Sequence, residues 1–267
     1  MLMANGMIFK RELLKKTYAK NASIIKENSF LSDYAANLLI DKLKQTSLHF
    51  ENILYLGAKS PLLTEFLQTQ YPQAKITETS FSAEFLALSA HPHKIVCDEE
   101  LLPFKEQSFD LVCSVLNLHN VNDLVGTLIQ IRKTLKDKGL FLASLIGGSS
   151  LSKLRHACLE ADALLGSSSP KVAPMLEVKM AGQLLQRAGY HMVIADSDDV
   201  EIIYEHVNKL LLDIKNMGEG NILNSKTNRL MSIKRLALIK ENYINLSKLA
   251  KKITANYELI NLTAFKN

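Results

Sequence analysis

Three consecutive acids, Asp98-Glu99-Glu100, close the short run Lys94-Ile95-Val96-Cys97 and lead into Leu101-Leu102-Pro103-Phe104. A carboxylate at the end of a buried strand is unfavourable unless it faces water or accepts from a partner. The choice lies between plain solvation and a ligand donor such as an adenine amino group. Glu78 ends a second apolar run, where a carboxylate can accept both hydroxyls of a ribose; a solvated strand-end acid is the alternative. Ser80, two residues on, offers a weaker neutral contact. His119, within Leu116-Asn117-Leu118-His119-Asn120, follows a third buried run. A neutral histidine there can act as a general base toward a reacting group, or it can be structural and bonded to backbone.

Close approach of backbone N–H groups to such a ligand needs glycines. The loop Gly57-Ala58-Lys59-Ser60-Pro61 keeps one, adds a long cation at Lys59 and loses a donor at Pro61. An ordinary strand-to-helix turn explains it equally well. No serine elbow, phosphate-binding Lys-Ser/Thr loop or His-Glu helix motif is present. His91-Pro92-His93 reads as a loop, because Pro92 forces an extended turn rather than metal spacing. Cys97, Cys113 and Cys158 are isolated and read as reduced, buried thiols, so no metal site is expected. Arg155 offers a fork for a carboxylate or an acidic partner, or stands as an exposed helix arginine. Met217-Gly218-Glu219-Gly220-Asn221 reads as a compact turn between helices.

These residues must be held by a regular scaffold. Strands are expected at 52–56, 74–78, 94–97, 109–115 and 139–146, with helices at 61–67, 83–88 and 125–135 between them. That alternation implies right-handed crossovers and a doubly wound parallel sheet. Two helices precede it, one over residues 7–20 and one from an N-cap at Ser32 to about Leu43. Beyond residue 150 the rhythm changes. Helices are expected at 151–164 and 177–188, with the loop Gly166 to Pro170 between them. Strands at 190–195 and 200–204 bracket a turn at Asp196-Ser197-Asp198-Asp199. Helices at 207–215 and 226–251 lead to a last strand at 255–262.

The chain has 267 residues and a formal net charge of +5. Charge is uneven: six basic and two acidic side chains lie in residues 1–30, and nine and two in residues 221–267, around an acidic middle. Basic ends suit an anionic partner or a membrane surface, or simply solvated helix faces. No aromatic-and-basic stripe suggests nucleic acid. No apolar run reaches membrane-span length, since Leu140 to Ile146 is far too short. The first thirty residues lack a signal-peptide core. A cytoplasmic location is expected, with peripheral membrane association open. Leu236, Ile239, Tyr243 and Leu246 form one helical stripe, which suits a core contact or a membrane face.

As a set, these residues resemble the class I methyltransferases that use S-adenosylmethionine (SAM). Within them the chain is similar to the branch of mitochondrial and alphaproteobacterial respiratory complex I assembly factors, related to malonyl-carrier-protein methyltransferases. The resemblance runs from about Ile8 to Phe265. It is carried by Ile8-Phe9-Lys10-Arg11, Asp98 through Phe104, Ser108-Phe109-Asp110-Leu111-Val112 and Leu118 through Leu124. Beyond the sheet core it rests on Gly147-Gly148, Leu154-Arg155, Ser169-Pro170-Lys171, Leu184 through Gly189, and Met217-Gly218-Glu219 with Asn221. It implies an α/β Rossmann-like fold with a seven-stranded, mostly parallel sheet, N-terminal helices and C-terminal helical additions. The expected organisation is a helical segment at 1–48 and a methyltransferase-like domain at 49–267, with insertions at about 149–188 and 206–252.

The resemblance also implies a site. Gly57 and Ala58 would line the methionine end of SAM, Glu78 or Ser80 the ribose, and Asp98 or Glu99 the adenine, with Asn117 beside them. His119 would lie near the acceptor. Arg155, Lys171, Glu219 and Asn221 would meet the substrate or partner. The implied activity is methyl transfer to a protein or carrier-protein substrate in complex I assembly. The alternatives are an inactive assembly factor that binds a complex I subunit, and a protein arginine hydroxylase. The chain departs from the pattern at Tyr55, where the family has Asp; at Lys59 and Pro61, where it has glycines; and near Ser80, where its ribose-binding acid falls.

Overall fold

The computed structural model describes residues 7–166, 171–224, 231–247 and 252–267. Three helices come first: α1 (Arg11–Lys20), α2 (Ala22–Glu27) and α3 (Phe30–Lys44). Strands and helices then alternate as β1 (Asn52–Leu56), α4 (Pro61–Gln70), β2 (Lys75–Ser80), α5 (Ala83–Ala87), β3 (Lys94–Val96), β4 (Phe109–Val115), α6 (Leu124–Thr134) and β5 (Leu135–Ile146). A short 3-10 turn, Leu118–Asn120, lies between β4 and α6. The described chain continues through α7 (Ser152–Leu164), α8 (Val178–Arg187), β6 (His191–Tyr204), α9 (Val207–Asn216), α10 (Ile233–Ser247) and β7 (Ile253–Phe265).

The seven strands form one sheet in the order β3-β2-β1-β4-β5-β7-β6. β1 to β5 run parallel, and β7 runs antiparallel between β5 and β6. A parallel sheet covered on both faces needs strands that are apolar on both sides. Here Ile53 and Tyr55 pack with Leu39, Leu63, Ala157 and Tyr243 on one face. Leu54 and Leu56 pack with Ile131 and Leu185 on the other. Each such fully buried aliphatic side chain contributes about 1.5–3 kcal/mol. Because β1 to β4 are parallel, the loops that follow them open along one rim, where ligands bind in such sheets. A third cluster lies there: Leu14, Tyr18 and Ile25 from α1 and α2 meet Phe81, Phe85, Ile222 and Leu223.

Several local expectations are corrected. Asp196-Ser197-Asp198-Asp199 is not a turn; it lies inside the unbroken strand β6, paired with β7 from Asp196↔Asn261 to Asp199↔Glu258. Turn-forming residues yield here to ladder pairing. Their acids are also accommodated: Asn261 Nδ2 donates to Asp196 Oδ1 at 3.2 Å and to Asp198 Oδ2 at 2.8 Å, and Lys42 Nζ reaches Asp196 at 2.7 Å. Removing the fully buried Asn261 as Asn261→Ala is expected to destabilise the chain by about 1–3 kcal/mol. Urea unfolding checks this, and an unchanged midpoint would show that β7 pairing alone holds the acids in line.

The first helix does not span 7–20. Residues 8–10 lie outside any helix, and Phe9 bridges Leu223. Ser32 is not an N-cap but lies in the first turn of α3, its hydroxyl donating to Ser29 O at 2.8 Å. The stripe on α10 is a core contact: Ile239 and Tyr243 are buried, and the Tyr243 hydroxyl donates to Thr254 O at 2.9 Å. Of the expected helix at 226–251, residues 226–230 and 248–251 lie outside the described residues, as do residues 167–170 of the expected loop. Among the described residues, no helix is long and apolar enough to cross a membrane. All three thiols are buried: Cys97 directly before the acidic loop, Cys113 in the middle of β4 and Cys158 on α7.

Candidate functional site

The rim is built on the turn after β1. Gly57 takes φ +73, and the Asn117 side chain lies against its α-carbon so closely that an added Cβ would overlap Asn117 Cγ. Leu116 turns the chain toward this contact at φ 44, a left-handed value that leucine rarely adopts. Ala58 packs at the edge of the α3–α4 core. Tyr55, where the resemblance leads one to expect Asp, turns its hydroxyl into the same loop. It accepts from Ser60 N at 3.0 Å and donates to Ser60 O at 3.3 Å.

Lys59 is buried behind this turn. Its ammonium meets Glu219 Oε1 at 2.8 Å and lies 5.3 Å from the centre of the Tyr18 ring. The other Glu219 oxygen lies 3.0 Å from His119 Nε2 and accepts from Asn120 Nδ2 at 3.3 Å. Burial alone would push the Glu219 carboxyl up, but Lys59 and His119 outweigh it and hold it well below the usual carboxylate range. Burial would likewise lower the Lys59 ammonium, and Glu219 instead holds it above the usual lysine range. Tyr18, wholly enclosed, has its phenol pushed up to about 12 by burial.

At the other end of the rim the acidic loop grips Arg11, the first residue of α1. The guanidinium bonds Asp98 Oδ1 at 2.7 Å, pairs closely with Glu99 Oε2, and lies 3.8 Å from Glu100 Oε2. It also donates to Asn120 O at 3.2 Å and stands 5.4 Å from the Phe81 ring centre. Burial acts to lower the Arg11 pKa, and Glu99 and Asp98 outweigh it. Glu100 also fixes the loop after β4, because its Oε1 accepts from the backbone N–H groups of Asn122 and Asp123. The Cys97 thiol, just before the acidic loop, is pushed up to about 12 by burial and then by Glu99.

The residues expected in the site therefore separate. Gly57, Asp98, Glu99, Asn117, His119 and Glu219 gather along the rim, and Asn221 lies in the segment after Glu219, its Oδ1 accepting from Leu223 N at 3.0 Å. Glu78 does not open into the rim. Both its oxygens are engaged beneath the sheet edge by the hydroxyls of Thr64 and Ser89. Ser80 is buried, and its Oγ accepts from Ser82 N at 3.2 Å. Arg155 turns inward to Gly148 O at 3.1 Å and Ser150 O at 3.4 Å, bracing the loop after β5. Lys171 is half-buried beside Cys158. Arg11, Tyr18, Lys59 and Asn120 are rim residues that motif reasoning did not assign. Arg11 stands in a basic N-terminal run, and nothing local to that run points to a loop 87 residues away.

The rim as folded does not fit SAM. The strand-one acid that the resemblance leads one to expect is absent, Asn117 covers Gly57, both Glu78 oxygens have partners, and Arg11 holds Asp98 and Glu99. The cavity beside Lys59 and Glu219, lined also by Ile25, Ser32, Leu116 and Met217, measures about 20 Å³. That is room for about one water. At the rim, three buried polar atoms nevertheless lack a hydrogen-bond partner: Glu99 Oε1, Asn117 Nδ2 and His119 Nδ1.

A sheet of this order, with its loops meeting at the ends of five parallel strands and an antiparallel closing pair, defines the Rossmann-like class I methyltransferase fold. The methyltransferase-domain family model matches residues 54–143. A Rickettsia prowazekii protein that carries a methyltransferase name is 37% identical over 73% of this chain and 86% of its own. The mitochondrial arginine-hydroxylase NDUFAF5 of Rattus norvegicus is 31% identical over 97% of this chain and 77% of its own. A malonyl-[acyl-carrier protein] O-methyltransferase of Gallionella capsiferriformans is 24% identical over 98% and 93%. Among solved structures, the YcgJ protein of Bacillus subtilis superposes with a TM-score of 0.59 at 12% identity, covering 88% of this chain and 99% of that one. A Haemonchus contortus phosphoethanolamine N-methyltransferase solved with SAM gives 0.51 at 16% identity, covering 86% and 52%. The chain belongs to the class I methyltransferase family, with NDUFAF5 and malonyl-carrier methyltransferases among its relatives.

Proposed function

We propose that this chain is a methyltransferase-fold assembly factor that works by binding a protein, and that its closed form does not hold SAM. The partner implied by the resemblance is a subunit of respiratory complex I. The observation that carries the reading is the filling of the rim by the chain's own ion pairs, Arg11 with Asp98 and Glu99, and Lys59 with Glu219. Each charge-assisted hydrogen bond that a ligand must forgo or displace is worth roughly 1.5–3 kcal/mol, about tenfold to a hundredfold in affinity. Loss of the Tyr55, Glu78 and Asp98 contacts together would leave little binding. The basic ends of the chain are consistent with work at the inner face of a membrane.

Calorimetric titration of the purified chain with SAM tests the proposal. We expect no measurable heat, alongside capture of a complex I subunit by the same preparation. Micromolar binding that weakens in Asp98→Ala would overturn it and restore methyl transfer to a protein or carrier protein. One observation favours a second reading, a protein arginine hydroxylase: the acidic loop already holds a guanidinium, and the rat relative bears that name. Mass spectrometry of the captured partner, read for one added oxygen on arginine, separates the two.

A further inference from the structure

We infer that residues 8–11 form a strap that locks the whole rim, coupling Arg11 to Glu219 so that neither end opens alone. The strap is zipped along both edges. On one side Lys10 N donates to Ile222 O and Asn224 N donates to Ile8 O, each at 2.8 Å. On the other side Phe9 N donates to Asn122 Oδ1 at 2.8 Å, and Asn122 Nδ2 donates back to Phe9 O at 3.2 Å. Arg11 continues the strap into Asp98, Glu99 and Asn120 O. Ile222 is three residues from Glu219, which holds Lys59, His119 and Asn120. Between the two ends Tyr18 packs on Phe81 at 5.1 Å and on Phe85 at 5.2 Å. Gly218, at φ +80, approaches the same ring so closely that a Cβ there would lie 2.9 Å from Tyr18 Cε2.

All four rim loops are thus closed by one device. Lys59 of the first is fixed through Glu219, Phe81 of the second lies under Tyr18 and Arg11, and the acids of the third hold Arg11. Asn120 and Asn122 of the fourth contact both ends. A second, independent observation points to a ligand beneath the strap. Glu99 Oε1, Asn117 Nδ2 and His119 Nδ1, each on a side chain more than nine-tenths buried, are unpartnered beneath the strap. Buried polar atoms are normally paired. A ligand that offers Glu99 a donor and Asn117 an acceptor would satisfy them, and it can enter only when the strap leaves. The inference holds whichever ligand the rim takes, so it does not depend on the assembly-factor reading.

Hydrogen–deuterium exchange on the full chain tests it. In Arg11→Gln, exchange is expected to rise about tenfold or more at 7–11 and, although the variant does not touch them, at 217–224 and 57–60. Lys15→Gln, on the exposed face of α1, is the control and should change neither. A rise confined to 7–11 and 98–100, with 217–224 at the wild-type rate, would overturn the coupling. If Arg11→Gln does not fold, Asn122→Ala loosens the strap without unpairing a charge, and the same two segments are read. SAM titrated into an opened variant separates the two proposals. Coupled opening without heat upholds both strap and assembly factor. Coupled opening with heat that wild type lacks upholds the strap and adds a SAM-binding open form.

Discussion

Glu219→Gln is expected to destabilise the fold by about 3–5 kcal/mol, the usual cost of removing one partner from a buried ion pair. The pair is nearly dry: the Lys59 and Glu219 side chains are 5% and 11% exposed. The amide keeps an oxygen for Asn120 or His119 but leaves the Lys59 ammonium uncompensated among Tyr18, Leu116 and Met217. Replacing both charges, as Lys59→Met with Glu219→Met, should recover at least half of the loss, because the intact pair also carries a desolvation penalty. The pH dependence follows from the two directions. Glu219 titrates below its unfolded value, so its contribution is complete above roughly pH 4.3 and is lost as pH falls below that. Lys59 titrates above its unfolded value, so its contribution is complete below roughly pH 10.4 and is lost as pH rises past that. The stability gap between wild type and Glu219→Gln, from urea unfolding, should be flat between about pH 5 and 10 and narrow on both sides. A gap that persists unchanged to about pH 3 would mean that Glu219 acts through packing rather than charge.

Gly57→Ala should destabilise by about 2–5 kcal/mol, from two separate sources. A left-handed backbone costs an L-residue roughly 1–2 kcal/mol. Overpacking adds about 1–3 kcal/mol, because the new methyl would overlap Asn117. Only the second source disappears when the Asn117 side chain is removed whole, since its Cβ alone would lie 2.8 Å from the new methyl. Gly57→Ala with Asn117→Gly should therefore show a coupling of at least about 1 kcal/mol relative to the two single variants. Thermal unfolding of the four proteins measures it. Strict additivity would place the whole cost in the backbone. The result also bears on ligand binding, because Asn117 occupies the approach that a glycine at this turn otherwise leaves to a ligand.

Much of the scaffold is legible in the sequence because its signals are local. β1 and β4 fall where their apolar runs begin and end, and Gly57 and Pro61 mark the turn and the helix that follow β1. β5 begins earlier than its apolar run suggests, because Leu135 pairs with Phe109 ahead of the polar Lys136-Asp137-Lys138. The two ends of β6 are legible as strands, but its middle is not, for a related reason. Four turn-type residues remain extended because β7 supplies the ladder and Asn261 holds two of the acids, and neither partner is nearby in sequence.

The site divides in the same way. Strand ends placed Asp98, Glu99, Asn117 and His119 at the rim. Their partners could not be read, since Arg11 meets Asp98 across 87 positions and Lys59 meets Glu219 across 160. Lys59 reads in sequence as a long cation added to a glycine-poor loop, and in the structure it is half of a buried pair. Glu78 has the residue type that ribose binding needs, two residues before the family's position, but Thr64 and Ser89 engage its oxygens, and hydroxyls at such distances leave no sequence signature.

The three thiols lie at graded depths: Cys97 beside the acidic loop, Cys158 on an outer helix and Cys113 at the centre of the sheet. The native chain thus carries its own labelling probes. A maleimide adduct on Cys97 alone would record a lifted edge, whereas an adduct on Cys113 would record the sheet coming apart.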